Sequence, residues 1–192
     1  EYIFDSELNL KPHKKYFYAL QQFKKDLVIT VDDDLIYSPF MIESLLESHE
    51  KYPNAICARR VHKVLTKNSI IAPYNDWFHD YKEHNSMNCM LFPTNGAGTL
   101  FPPDALPMEA FDIQKITSLC LNADDVWLWF MSKMKKTPIV WCECIIGLPL
   151  QVDEIDGKQG LAADNVENCA NDKYIKNLIE FYGLNPFKEE SE

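Results

Sequence analysis

The stretch Leu27-Val28-Ile29-Thr30-Val31-Asp32-Asp33-Asp34 decides the fold. Its first five residues are apolar or β-branched without alternation, the pattern of a strand buried on both faces, and three aspartates stop it. Ser38-Pro39 follows, an N-cap residue and a proline suited to the first helical position. Phe40 to Tyr52 then carries Met41, Ile42, Leu45, Leu46 and His49 at helical spacing, and Pro53-Asn54 ends it. Ala55-Ile56-Cys57-Ala58 is a second short strand, trailed by Arg59-Arg60. Strand, acidic turn, helix and strand make a βαβ unit. It predicts a parallel pair in an α/β fold whose sheet is covered by helices.

Upstream, Tyr16 to Phe23 reads as a helix after the Lys11-Pro12-His13 turn, with Tyr16, Phe17 and Leu20 inward. Downstream, residues 61 to 93 have no clean period. Tyr74, Trp77, Phe78 and Tyr81 form an aromatic stretch, read as a core patch with a sugar-stacking platform as the alternative. His79 and His84 beside it fit packing or surface roles better than metal ligation. Asn95-Gly96-Ala97-Gly98 signals a loop, and Thr99-Leu100-Phe101 a short strand stopped by Pro102-Pro103. Phe111 to Leu119 predicts a helix. Asn122-Ala123-Asp124-Asp125 leads into a bulky apolar helix that ends near Lys135-Lys136, where basic residues suit the negative helix end. Thr137 to Cys142 reads as a strand. Beyond Leu150 the polar composition predicts an exposed, mobile loop over about residues 150–170. A closing helix from Asp172 to Tyr182 turns Tyr174, Ile175, Leu178, Ile179 and Phe181 inward and ends at Gly183; residues 188–192 fray. A single domain over 1–192 is expected, without internal repeats.

The chain of 192 residues carries 19 basic against 29 acidic residues, a net charge of −10. That argues against a nucleic-acid partner, which wants clustered positive charge, though not against a nucleotide whose phosphates a metal neutralises. No apolar run reaches the ~18 residues of a membrane span. The sequence begins at Glu1 with no initiator Met and no signal-peptide pattern, so a processed or trimmed chain is expected. Six scattered cysteines with no Cys-x-x-Cys pair argue against a zinc ribbon and predict buried free thiols in a reducing cytoplasm.

Two acidic groups carry candidate chemistry. Asp32 and Asp34 lie two apart and share a side if the strand persists. Two hard carboxylates suit Mg²⁺ or Mn²⁺, which keeps positions open for phosphate oxygens, and ligands of open α/β sheets bind beyond the carboxyl ends of the strands. The alternative is a capped turn feeding the Ser38 helix. Asp124-Asp125 reads either as an N-cap with a favourable dipole contact, or as a general base, an Asp buried beside Trp127 with a raised pKa. Gly96-Ala97-Gly98 allows close backbone approach to a ligand, or is simply a turn.

Together these motifs resemble a family. Lys11 to Leu20, Val28 to Tyr37, Ala58-Arg59-Arg60, Asn95 to Gly98 with Phe101-Pro102-Pro103, and Ala123 to Trp127 occur in the order seen in bacterial surface-polysaccharide glycosyltransferases of the family-2-like type. Gln159, Leu161, Asn165 and Asn171-Asp172 continue it, so the resemblance spans about residues 11 to 182. It implies a GT-A fold, a Rossmann-like, mixed but mostly parallel sheet with flanking helices. It implies a nucleotide-sugar donor, expected to be a UDP-sugar, and a glycan or lipid-linked acceptor in capsule or lipopolysaccharide synthesis. By position Asp34 resembles the direct metal ligand, with Asp32 sharing the metal and Asp32 and Asp33 nearer the ribose and the metal's water shell. Asp125 resembles the residue that deprotonates the acceptor in inverting members, and Asp124 its support. Gly96 and Gly98, with Ala97 between them, resemble the loop lining the donor-sugar and acceptor pocket.

One departure is expected to matter. Members usually carry a β-α-β stretch before the Asp-x-Asp strand, with much of the nucleobase pocket, and only about thirty residues precede Asp32 here, so an N-terminally truncated GT-A fold is expected. An open sheet edge and a homodimer are therefore expected. So are a cytoplasmic place and peripheral association with the inner face of the plasma membrane. A catalytically silent sugar- or partner-binding remnant is the competing reading. A phosphohydrolase of the haloacid-dehalogenase type ranks last, because Ile36 stands where Thr or Val is wanted.

Overall fold

The β-branched run and the second strand both form, but they are not neighbours. The computed structural model describes residues 9–68, 70–82, 90–143, 147–152 and 170–183. The first half runs α1 (Lys14–Gln22), β1 (Val28–Thr30), β2 (Leu35–Ile36), α2 (Met41–Lys51), β3 (Ile56–Ala58), β4 (Val61–Lys63), β5 (Thr66–Lys67) and β6 (Ile70–Ile71). The second runs β7 (Leu91–Pro93), β8 (Thr99–Phe101), α3 (Ile113–Leu119), α4 (Asp124–Met134), β9 (Ile139–Trp141), β10 (Leu150–Gln151) and α5 (Ala170–Tyr182).

The central sheet has the order β1-β8-β3-β9. β8 is antiparallel to both β1 and β3, and β3 is parallel to β9. Three strands therefore point one way and the inserted β8 points back. This corrects the adjacent parallel pair expected of the βαβ unit: β1 and β3 share a direction, but a strand from later in the chain separates them. The fold is the mixed α/β architecture expected. Two-stranded ribbons β4–β7, β5–β6 and β2–β10 flank the sheet. The last of these turns Leu150–Gln151 into a strand at the edge of the expected loop; residues 153–169 and the tail from 184 lie outside the described residues.

Helix α4 is the centre of the larger core. Every residue from Val126 to Ser132 is buried, and such all-round apolarity marks an interior helix. Its Trp127 indole N–H donates to the Ala110 carbonyl at 3.0 Å, so the polar edge of that ring is satisfied where it is buried. In the same core Phe92 meets Trp77 and Trp129 edge to face, and Trp77 packs at a tilt against Tyr74 and Trp129. Trp77 is thus core, as expected of the aromatic stretch, while Phe78 is exposed.

Other expectations need correction. Helix α2 starts at Met41 with Phe40 as N-cap; Ser38 lies before it, although its hydroxyl still accepts from the Phe40 N–H at 3.2 Å. Only Met41, Leu45 and Ser48 are buried along α2, and Ile42 and Leu46 are exposed because the helix meets the sheet along a narrow stripe. On α5, Ile175 and Leu178 face inward but Phe181 is exposed. Gly183 sits in the left-handed region at φ 62°, where a helix end needs a residue without Cβ. Cys57, Cys120 and Cys142 are buried free thiols; Cys89, Cys144, Cys169 and His84 lie outside the described residues.

Candidate functional site

The reversal of β8 assembles one rim of the sheet. The segment Asn95–Gly98 leads into β8, so it lies beside the carboxyl ends of β1 and β3, where Asp32 and Arg59 follow. Asn95–Ala97 forms a single 3₁₀ turn, and Gly98 has φ +104°, a conformation side chains rarely adopt. A Cβ there would also press on Met41 Sδ at 3.0 Å. At Gly96 a Cβ would overlap the carboxylate of Asp32, so glycine is what lets this turn approach β1. Tyr37 ties the two loops: its hydroxyl accepts from the Asp32 N–H at 2.7 Å and donates to the Gly96 carbonyl at 2.6 Å.

The first turn of α4 completes the rim. Asp124 and Asp125 lie inside that turn, with Ala123 as N-cap and no side-chain cap, so the N-cap expectation is corrected while the favourable dipole contact stands. Asp125 Oδ1 accepts two hydrogen bonds from Asn95, from the backbone N–H at 2.9 Å and from Nδ2 at 2.7 Å. Its second oxygen makes none among the described residues. Asn95 itself is fully buried, and its Oδ1 has no hydrogen-bond partner among the described residues.

Lys15 joins the two acidic groups. Its ammonium lies 2.7 Å from Asp32 Oδ1 and 3.1 Å from Asp124 Oδ2. The second contact lies off the hydrogen-bonding direction, so Asp124 Oδ2 is buried and held by charge alone among the described residues. Lys15 is only 17% exposed at its side chain, and its helix is anchored next door. The buried His13 donates from Nε2 to the Cys120 carbonyl at 2.9 Å and accepts the Tyr16 hydroxyl at Nδ1, also at 2.9 Å. Burial holds the His13 pKa low, which keeps the ring neutral for these roles.

The electrostatics follow from this packing. Burial would lower the Lys15 pKa, but Asp124, Asp125 and Asp32 outweigh it and hold it above its usual range. Burial and the neighbouring Asp124 push Asp125 up to about 7, against the opposing pull of Lys15 and the Asn95 N–H.

The structure thus brings Asp32, Asp124, Asp125 and Gly96 together, and Ala97 in the same turn is buried. The strand stops at Thr30, so Asp32 and Asp34 are not carried on one strand face; Asp33 and Asp34 are exposed in the turn that follows. The Asp34 carbonyl accepts from the Val152 N–H at 3.0 Å. Among the described residues, no group of three or more His, Cys, Asp or Glu side chains is arranged to hold a metal ion. Sequence reading missed Lys15, Asn95 and Tyr37. For Lys15 a signal existed: Lys14-Lys15 opens α1, where positive charge opposes the helix dipole unless acids lie nearby.

The sequence model of glycosyl transferase family 2 matches residues 3–98, half of the chain. The chain belongs to glycosyl transferase family 2. No curated protein and no solved structure gives a significant match. For this family 2 glycosyltransferase the match takes in β1, the Asp32–Asp34 turn, α2, β3 and the glycine turn, and stops before α4. The Asp124-Asp125 pair therefore stands on geometry alone. Among the described residues, no helix is long and apolar enough to cross a membrane.

Proposed function

We propose that this family 2 glycosyltransferase is metal-dependent and moves a sugar from a nucleotide-sugar, expected to be a UDP-sugar, onto a glycan or glycolipid acceptor in capsule or lipopolysaccharide synthesis. The observation that carries the reading is convergence: two acidic groups far apart in sequence meet at the Lys15 ammonium, with the glycine turn between them. Asp32 and Asp34 are the residues to hold Mn²⁺ or Mg²⁺, with Asp33 beside the ribose. Their donor chemistry fits. Carboxylate oxygens are hard ligands, and an ion held by few of them keeps positions for phosphate oxygens. When bound, the ion supplies charge stabilisation to the departing diphosphate.

Asp125 takes the acceptor hydroxyl proton at Oδ2, because Asn95 occupies Oδ1 with both of its donors. The acceptor oxygen bonds to the anomeric carbon as the bond to the diphosphate breaks, and the hydroxyl proton moves to the carboxylate. A base with a pKa near neutrality is matched to that transfer. Asp124 supports it by raising the basicity of its neighbour. Gly96, Ala97 and Gly98 line the donor-sugar side. Exposed Ile36, Phe40, Ile42 and Leu46 follow the acidic turn and suit peripheral contact with a cytoplasmic membrane face bearing a lipid-linked acceptor; a homodimer would cover the same side chains.

Calorimetry with Mn²⁺ and UDP tests the reading. Asp34→Ala should lose metal-dependent binding with the fold kept by circular dichroism; unchanged affinity removes Asp34 from the metal. A parent chain that binds no Mn²⁺–UDP at all would favour the silent remnant instead.

A further inference from the structure

Resting on that reading of the donor site, we propose that Lys15 is a built-in counter-cation that makes the divalent ion enter only together with the donor's diphosphate. Its ammonium lies 2.7 Å from Asp32 Oδ1, so a fixed positive charge already pairs with an oxygen that would be needed to hold a metal. An ion arriving alone meets a carboxylate already neutralised and a fixed positive charge beside it. It also cannot push that charge into open solvent at little cost. The ammonium is held on its other side by Asp124, and α1 is anchored through His13 to the Cys120 carbonyl.

A diphosphate changes both terms. It brings negative charge that attracts the ion, and its oxygens offer the ammonium a new partner in exchange for Asp32. Lys15 would then turn from Asp32 to phosphate and Asp124, and the freed Asp32 carboxylate could help hold the ion. After transfer, departure of the nucleotide returns Lys15 to Asp32. Lys15 is thus a positioning residue of the donor site, distinct from the base at Asp125.

Direct titration of Mn²⁺ by electron paramagnetic resonance, with and without UDP, tests this on the full chain, Lys15→Met and Lys15→Arg. Lys15→Met should take up Mn²⁺ alone at least about tenfold more tightly than the parent, since it loses an adjacent like charge. Lys15→Arg should stay with the parent, and the gap should shrink or reverse once UDP is present. If the parent binds Mn²⁺–UDP but Lys15→Met takes Mn²⁺ alone no better than the parent, the counter-cation role is overturned and the donor site survives. If no chain binds Mn²⁺–UDP, the donor-site reading falls and this inference falls with it. The parent chain offers a second check that needs no variant to fold. Mn²⁺ alone should leave its melting temperature unchanged and Mn²⁺ with UDP should raise it; equal rises overturn the proposal.

Discussion

Replacing Asp125 by asparagine should make the protein more stable at pH 8 while stopping sugar transfer. Burial and Asp124 raise the Asp125 pKa from 3.8 to about 7. The folded chain therefore keeps this proton to higher pH than the unfolded chain does. Between about pH 4 and pH 7 the folded state binds more protons, so stability falls as pH rises, and above about 7 the whole cost of the buried charge is present. At about 1.4 kcal/mol per tenfold in proton affinity, that cost is capped at about 4 kcal/mol. The side chain is partly reached by solvent and Lys15 stands close, so about 1–2 kcal/mol is the expected gain on neutralising it. Asparagine keeps the shape and an oxygen for the two Asn95 donors. Urea unfolding at pH 4 and pH 8 measures it: the variant's advantage should grow by that amount toward pH 8. A rise in melting temperature of about 2–8 °C at pH 8 would accompany it. A variant less stable than its parent at pH 8, or an advantage that does not change with pH, would refute the reasoning. Retained transfer would remove Asp125 as the base.

Gly96→Ala should drive the new methyl into the Asp32 carboxylate, cost about 1–3 kcal/mol in urea unfolding, and weaken Mn²⁺–UDP binding in calorimetry. Tyr37→Phe deletes the hydroxyl that accepts from Asp32 N–H and donates to the Gly96 carbonyl, so a loss of about 1–3 kcal/mol is expected by the same assay. His62 is buried, and desolvation, then His79 and Arg60, lower its pKa to about 4. The unfolded chain binds that proton first, so stability should drop by about 2–3 kcal/mol as pH falls from 6.5 to 4. His62→Phe should flatten this part of the pH profile, and an unchanged profile would exclude His62 as its source.

Much of the architecture was legible because it is written in local pattern. The run Val28–Thr30, the strand Ile56–Ala58 and the apolar helix Asp124–Met134 fall where β-branching and helical spacing put them. Sheet order was not legible, because β8 inserts between β1 and β3 through contacts distant in sequence that leave no local trace. The apolar stripe of α2 overstated burial at Ile42 and Leu46 for a related reason: periodicity tells which residues share a face, not how wide a neighbour covers it. At the rim, Asp32–Asp34 and Asp124-Asp125 stood out because adjacent like charges need a reason. Asn95 and Tyr37 are ordinary residues in the sequence, and Lys15 shows only as a charge misplaced at a helix start; the fold gives all three their partners.

The antiparallel strand is the device that makes this rim a site. Were β8 parallel to its neighbours, the turn Asn95–Gly98 that precedes it would open at the opposite end of the sheet, away from Asp32. Reversal brings the turn's two ends to different tasks: Asn95 clamps one oxygen of Asp125, and Gly96 yields its side-chain space to Asp32. The spacing between Asp32 and Asp125 is then set by a single short turn and by Lys15, both fixed to buried elements. In the roles proposed for Asp32 and Asp125, leaving-group stabilisation and proton removal have to be held a sugar's breadth apart, and rigid spacing of this kind is what such orientation requires.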